Sequence, residues 1–208
     1  MNNIKVMGID YSANFTGVVY TNIIGDRDFW FTSNLRRDKD NTHCTFLNKE
    51  LKTLEKVDII CDNIFGLINE IQPQVVAMES PAFMASNQNA DFQDGYGIIK
   101  YVLRTMSIPY ILVPPISLKL FACGNARAEK LEVADGIEQT YNVIYSGETT
   151  HWDNLYDAHT LYEIAKLYIN QENISTVDLP KQQVIYGLLG DTKKLNEVKK
   201  LRSKIKRR

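Results

Sequence analysis

Two short apolar segments of this chain each end in an acidic residue. Of all the features of the sequence, this pattern restricts the possible folds most. Residues 4–10 (IKVMGID) end in Asp10, and residues 74–79 (QVVAME) end in Glu79. Short apolar runs bounded by turn residues indicate buried β-strands. Because a buried carboxylate needs a cation, a network of hydrogen-bond donors or a proton, both acids are candidate site residues. Ligands of open α/β sheets usually bind at such strand ends.

The rest of the pattern predicts an α/β domain built on a mixed central sheet. Residues 17–24 and 28–33 are rich in β-branched and aromatic residues, and the turn-like Gly-Asp-Arg between them predicts antiparallel opening strands. Apolar residues three and four apart predict an amphipathic helix from Leu51 to Ile71. The same reasoning predicts a strand at 109–113, loops at 34–45 and 80–95, and helices at 96–106, 116–123, 126–141 and 153–169. Strands that alternate with helices in this way are typical of a mixed sheet flanked by helices.

Composition excludes several classes of protein. The chain has 208 residues, 44% of them hydrophobic and 24% charged, which suits one domain with a tail and excludes a wholly disordered or collagen-like chain. The sequence contains no apolar run of the roughly 18 residues that a membrane span needs, so we expect no membrane partner. Cys44, Cys61 and Cys123 form no close pair, which disfavours a disulfide framework or a zinc site and favours a reducing compartment.

Charge is distributed unevenly along the chain. Residues 191–208 carry nine Lys or Arg and two acidic residues, a net charge of +7, and they leave the rest of the chain acidic. A basic terminal run binds polyanions such as nucleic acid, because each phosphate that it neutralises releases counterions. A solvated, frayed terminus explains this segment equally well. If the segment is helical, we expect the helix to order on a partner.

Two further acids, Asp153 and Asp157, lie four residues apart and therefore share one face of the predicted helix. Each candidate acid also has an ordinary explanation, such as capping a turn, pairing with a lysine or lying at a helix N-terminus. Several acids that come together without His or Cys indicate instead a site for a hard cation, Mg²⁺ or Mn²⁺. Two such ions about 4 Å apart can activate water and stabilise the leaving oxygen in phosphodiester cleavage.

Four segments, in this order, resemble the motifs of RuvC-like Holliday junction resolvases. They are GIDYSANFTGVVY at 8–20, VVAMESPAF at 75–83, PYILVPPISLKLFACGNARAEKLEV at 109–133 and DNLYDAHTLYEIA at 153–165. The resemblance covers most of residues 4–166. It implies an RNase H-like fold, with a nuclease domain at 1–171 that is followed by a C-terminal extension with a basic tail at 172–208.

The resemblance implies a homodimer that nicks four-way DNA junctions symmetrically, with two divalent ions, Mg²⁺ or Mn²⁺, in each active site. The metal ligands that it implies are Asp10, Glu79 and Asp157. Relatives commonly carry a fourth ligand at the position of Asn154. Asp153 lies one residue earlier and within helical reach, so Asp153 is our prediction, and His151 is the remaining alternative.

Lys119 and Lys130 match positions that contact DNA in these relatives, and Arg127 and Phe83 are two further candidate DNA contacts, although Phe83 lies one residue further from Glu79 than in the bacterial enzymes. Lys119 and Lys130 would lie near the scissile backbone, where an ammonium group stabilises charge that develops on the phosphate. Arg127 is a candidate phosphate contact, and Phe83 is a candidate for stacking on an opened base at the junction centre. The plainer readings are surface lysines and an aromatic side chain that packs into the core.

We therefore expect a two-metal endonuclease that resolves four-way junctions and leaves 5′-phosphate and 3′-hydroxyl ends, in the cytoplasm of a bacterium or of a phage-infected host. One alternative is an RNase H-like nuclease that acts on flaps, forks or RNA–DNA hybrids. Another is a junction-binding protein that has lost cleavage. The segment GIDYSANFTG also loosely resembles the first phosphate loop of actin-like ATPases, but 208 residues leave no room for the two domains of such a protein.

Overall fold

A six-stranded mixed sheet with the order β4-β3-β2-β1-β5-β6 lies at the centre of the protein. The computed structural model describes residues 4–81, 90–145 and 151–205. Its strands are β1 (Val6–Asp10), β2 (Gly17–Thr21), β3 (Arg27–Ser33), β4 (Cys44–Phe46), β5 (Val75–Glu79) and β6 (Tyr110–Val113). The three opening strands and the two later ones lie where the apolar patterns predict them.

Strand β1 lies between an antiparallel neighbour, β2, and a parallel neighbour, β5. The β2–β3 pair is antiparallel, and the β3–β4 and β5–β6 pairs are parallel. Ile9 of β1 pairs with Met78 of β5. Parallel strands end at the same edge of a sheet, so Asp10 and Glu79, each one residue further on, emerge side by side. The predicted mixed sheet with antiparallel opening strands is confirmed.

Helices cover both faces of the sheet, and the sheet separates the hydrophobic core into two clusters. Successive residues of a strand point to opposite faces, so Met7 and Ile9 pack with α1 and α2, whereas Val6 packs with the helices of the other face. The helices are α1 (Thr53–Ile71), α2 (Ala90–Thr105), α3 (Pro115–Cys123), α4 (Lys130–Tyr141), α5 (Trp152–Ile169), α6 (Leu179–Leu188) and α7 (Thr192–Ile205).

Three boundaries differ from the sequence-based predictions. The loop predicted at 34–45 contains a 3-10 turn and the start of β4, a three-residue strand at the sheet edge that is too short for a periodic pattern. The loop predicted at 80–95 gives way to α2 at Ala90, and residues 82–89 lie outside the described ranges. The helix predicted from residue 126 begins at Lys130, because the Glu132 carboxylate accepts a hydrogen bond from the Glu129 amide at 2.8 Å and caps the helix there.

The C-terminal extension packs onto the rest of the protein. Ile174, Val184 and Ile185 are buried in the same core as α3, α4 and α5, and Val198 of α7 joins them. Helix α7 is therefore ordered against α6 within the chain itself, unlike the helix that the sequence suggested would order on a partner. The domain boundary at residue 171 stays a prediction. None of the helices in the described ranges combines the length and the apolar character that crossing a bilayer requires.

Candidate active site

Helix α5 lies directly on the backbone of β1 and β2 at two glycines. A Cβ atom at Gly8 would lie 2.2 Å from the carbonyl oxygen of Ala158, and a Cβ atom at Gly17 would lie 2.5 Å from that of Asn154. Only glycine permits these contacts. Glycine within a strand pattern is a known signal of close backbone approach. Gly8 and Gly17 carry this signal, although no functional role was predicted for either from the sequence.

This close packing brings Asp157 of α5 to Asp10 of β1. Burial raises the pKa of Asp10 well above its usual value, and the negative charges of Asp157, Glu79 and Asp153 raise it further. Burial is also the largest cause that raises the pKa of Asp157, to about 7, followed by the charges of Glu79 and Asp153. The four predicted acids therefore act on one another electrostatically, and the structure brings them together at one end of the sheet.

A cleft of about 120 Å³ opens beside this cluster. Its charged lining consists of Glu79, Asp153, Asp157, Lys119 and Lys130. Burial raises the pKa of Glu79, and the positive charge of Lys119 opposes this shift. Two lysines that were predicted near the scissile backbone thus share one small cleft with three of the four predicted metal ligands.

Lys130 at the start of α4 reaches across the cleft and donates a hydrogen bond to Asp153. The Lys130 side chain is 71% exposed and that of Asp153 is 14% exposed. This hydrogen bond is the largest cause that raises the pKa of Lys130. Because the ammonium group neutralises part of the acidic cluster, Lys130 lies where a bound cation would compete with it.

The donor set of the cleft fits a hard divalent cation in its chemistry. All four acids offer carboxylate oxygens, the ligands that Mg²⁺ and Mn²⁺ prefer, and their mutual repulsion would fall if a cation bound between them. Within residues 4–81, 90–145 and 151–205, however, no three acidic, His or Cys side chains converge closely enough to hold an ion as they stand. A cation that bound at Asp153 would displace the Lys130 ammonium group that this carboxylate contacts.

The three candidates for the fourth ligand lie in different surroundings. Asp153 lines the cleft together with Asp157. The Asn154 side chain donates a hydrogen bond to the carbonyl oxygen of Phe15 in the β1–β2 loop. His151 stacks on the ring of Phe15, with ring centroids 3.4 Å apart, and burial lowers the pKa of its imidazole. Among the three, the position of Asp153 best suits the predicted role.

Of the two remaining predicted DNA contacts, only Arg127 lies in the described ranges, and it does not line this cleft. Arg127 is exposed in the loop between α3 and α4, and its amide donates a hydrogen bond to the Asn125 side chain at 3.0 Å. Phe83 lies outside the described residues. Gly124, at the start of the same loop, is the left-handed C-cap of α3, with a φ of 77°.

The sheet carries carboxylates at the shared end of β1 and β5, and the acidic helix α5 packs across them. This arrangement is that of the RNase H-like fold. No protein-family model matches the chain. Solved structures do match it. Thermus thermophilus RuvC aligns with a TM-score of 0.57 at 19% identity, over 81% of this chain and 96% of RuvC.

Two further structures give the same result. T. thermophilus RuvC in complex with a Holliday junction substrate aligns with a TM-score of 0.59 at 17% identity, again over 81% of this chain and 96% of that one. The yeast mitochondrial Holliday junction resolvase Ydc2 aligns with a TM-score of 0.51 at 10% identity, over 96% of this chain and 85% of Ydc2. These matches confirm the predicted likeness to RuvC-like resolvases at the level of the fold.

Proposed function

We propose that this protein is a metal-dependent, structure-selective DNA endonuclease that cuts four-way junctions by symmetric nicking and leaves 5′-phosphate and 3′-hydroxyl ends. The observation that carries the proposal is the half-buried cluster of Asp10, Glu79, Asp153 and Asp157 beside a cleft that holds Lys119 and Lys130. The fold that the chain shares with a RuvC solved on a Holliday junction supports the choice of substrate.

In this proposal the four carboxylates hold two Mg²⁺ or Mn²⁺ ions. When bound, such ions supply Lewis-acid chemistry that makes water a better nucleophile and stabilises the leaving 3′ oxygen. Burial and the charges of all three other acids raise the pKa of Asp10, so Asp10 would be a ligand for which a bound cation relieves the repulsion of every other acid. Its neighbour Glu79 and the acids of α5 complete the set.

The lysines of the cleft have a separate task. Lys130 contacts Asp153, and an ammonium group displaced from Asp153 by a cation would be free to donate to the scissile phosphate. Lys119 approaches the same space from α3. Preorganised positive groups near a phosphate that gains charge typically contribute about 10² to 10³ in rate. Arg127 would hold a neighbouring phosphate, and stacking of Phe83 on an opened base stays a prediction.

Symmetric nicking requires two active sites, and a two-fold homodimer would present them to equivalent phosphates of the junction. Helix α2 carries Tyr101, which is 62% exposed, and Ile98, which is 37% exposed. Tyr96, Ile99 and Leu103 of the same helix are buried in the core, so the exposed pair would be free to contact a second copy of the chain.

The test is incubation of the protein with an end-labelled, immobile four-way junction, with and without Mg²⁺, and mapping of the nicks on all arms. We expect paired nicks at symmetric positions only when the cation is present, and religation of the products by a DNA ligase. Stronger cleavage of a flap, a fork or an RNA–DNA hybrid would assign the site to another nuclease class. Tight junction binding without cleavage in either metal would identify a binding protein.

A further inference from the structure

The C-terminal extension is the part of the structure that the proposed cleavage site leaves unused. Its last helix, α7, belongs to the segment 191–208 with its net charge of +7, whereas the rest of the chain is acidic. A polyanion that approaches the acidic remainder is repelled at long range. If the substrate is DNA, the attraction must come from a local basic surface, and α7 offers the largest concentration of positive charge along the chain.

One side of α7 is fixed to the protein and the other is exposed. Val198 is buried against α6 and Leu195 is half-buried beside it. Lys193, Lys200 and Lys204 are exposed, and their spacing of seven and four residues places them on one stripe of the helix, away from Val198. Glu197 lies within this stripe and is its only acid.

Arg202 connects α7 to α6 and to the C-terminal end of α3. Its guanidinium group donates to the Gln183 side chain at 2.5 Å and to the carbonyl oxygen of Gly124 at 3.2 Å. Gly124 is the C-cap of α3, the helix that carries Lys119. At 1.5 Å per residue, Gly124 lies about 8 Å from Lys119 along α3. Arg202 thus ties α7 to the start of the loop that leads into Lys130, and Lys200 and Lys204 lie two residues to either side of it along the helix.

We infer that α7 is a second DNA-binding surface, which holds backbone phosphates of the duplex arm that leaves the active site, and that Arg202 fixes its position relative to the cleft. The inference rests on the proposed function. Phosphates of one strand follow each other at about 3.4 Å of helix axis, so a strand that ran from the cleft along α3 would reach Gly124 within about two or three nucleotides. Contacts of this kind read no sequence, because they are made to phosphates.

The experiment compares two variants that each remove two positive charges. Lys200→Gln/Lys204→Gln removes them from α7. Lys5→Gln/Arg104→Gln is the matched control, because Lys5 precedes β1 and Arg104 lies in the last turn of α2, both at the end of the sheet opposite to Asp10. Binding to an immobile junction and to a plain duplex is measured in EDTA between 50 and 200 mM salt.

For the α7 variant we expect about tenfold weaker binding to both DNAs, and a slope of log K against log salt that is smaller by about 2, since each lost phosphate contact removes about 0.9. The control should keep the slope of the unmodified protein. Gln183→Ala, which loosens Arg202 without changing charge, should weaken binding severalfold and keep the slope, because a loosened α7 must then be ordered on binding.

The outcomes separate this inference from the proposed function. If the unmodified protein nicks the junction but the α7 variant matches the control in affinity and slope, the inference is overturned and the nuclease stands. If the unmodified protein neither nicks nor binds branched DNA, the proposed function itself fails. Unchanged binding by Gln183→Ala, with the expected loss in the α7 variant, would overturn the role of Arg202 alone.

Discussion

Replacing Asp157 with Asn should make the metal-free protein more stable while it destroys the proposed metal site. Burial and the charges of Glu79 and Asp153 raise the pKa of Asp157 from 3.8 to about 7. The folded protein therefore holds a proton more tightly than the unfolded chain does. Its stability falls as the pH rises from about 4 to about 7, and above pH 7 the full cost of the buried charge is present.

The size of this effect follows from the pKa shift. One unit corresponds to about 1.4 kcal/mol, so the rise of about three units is worth about 4 kcal/mol at most. Asn keeps the shape and loses the charge, although it still needs hydrogen-bond partners. We expect a net gain of about 2 kcal/mol at pH 8, which for a chain of this size raises Tm by about 4–8 °C.

The assay is thermal unfolding in EDTA at pH 5 and pH 8, followed by the same measurement with added Mg²⁺. The control is Asp62→Asn, an exposed acid on α1, which should change Tm by less than about 1 °C. Asp157→Asn should gain stability mainly at pH 8, and Mg²⁺ should stabilise the unmodified protein more than the variant. Equal or lower Tm at pH 8, or the same gain at both pH values, would refute the electrostatic account of the site.

Three further predictions test individual contacts. Asp10→Asn should abolish nicking and keep junction binding, because the ions rather than the contact surface are lost; an intact cleavage rate in a gel assay would contradict its metal role. Gly8→Ala places a Cβ 2.2 Å from the α5 backbone and should lower the free energy of unfolding, measured by chemical denaturation, by about 3 kcal/mol. The control Gly66→Ala in α1, with open space around it, should leave this free energy unchanged or raise it by up to about 1 kcal/mol. Equal effects of the two substitutions would show that α5 is not held by the contact at Gly8. Lys130→Met should bind Mg²⁺ more tightly in titration calorimetry and cut about 100-fold more slowly; weaker Mg²⁺ binding would show that the ammonium group does not compete for Asp153.

Much of the fold could be predicted because its elements carry strong local patterns. The apolar runs before Asp10 and Glu79 and the three-and-four spacing of α1 require burial on their own account. The errors lie where tertiary contacts decide. Strand β4 pairs over three residues at an edge, and the start of α4 depends on a single capping carboxylate, so neither has a periodic signal.

The acids of the site could be proposed from the sequence, but their convergence could not be derived from it. Asp10 and Asp157 are 147 positions apart, and what joins them is the packing of α5 on Gly8. The choice between Asp153 and Asn154 likewise depends on the rotation of α5 about its axis, because Asn154 turns toward Phe15. One residue of spacing on a helix changes direction by about 100°, which no motif comparison resolves.

The contact between α5 and the strands has a consequence for how this protein can vary. The backbone of α5 contacts the backbone of the strands at Gly8 and Gly17, so no side chain sets the distance between α5 and the strands at the site. Substitutions elsewhere in the interior can change the free energy of unfolding and still leave the distance between α5 and the strands unchanged. Diverging sequences are therefore free to exchange most of their apolar residues, provided that these two positions stay without a side chain.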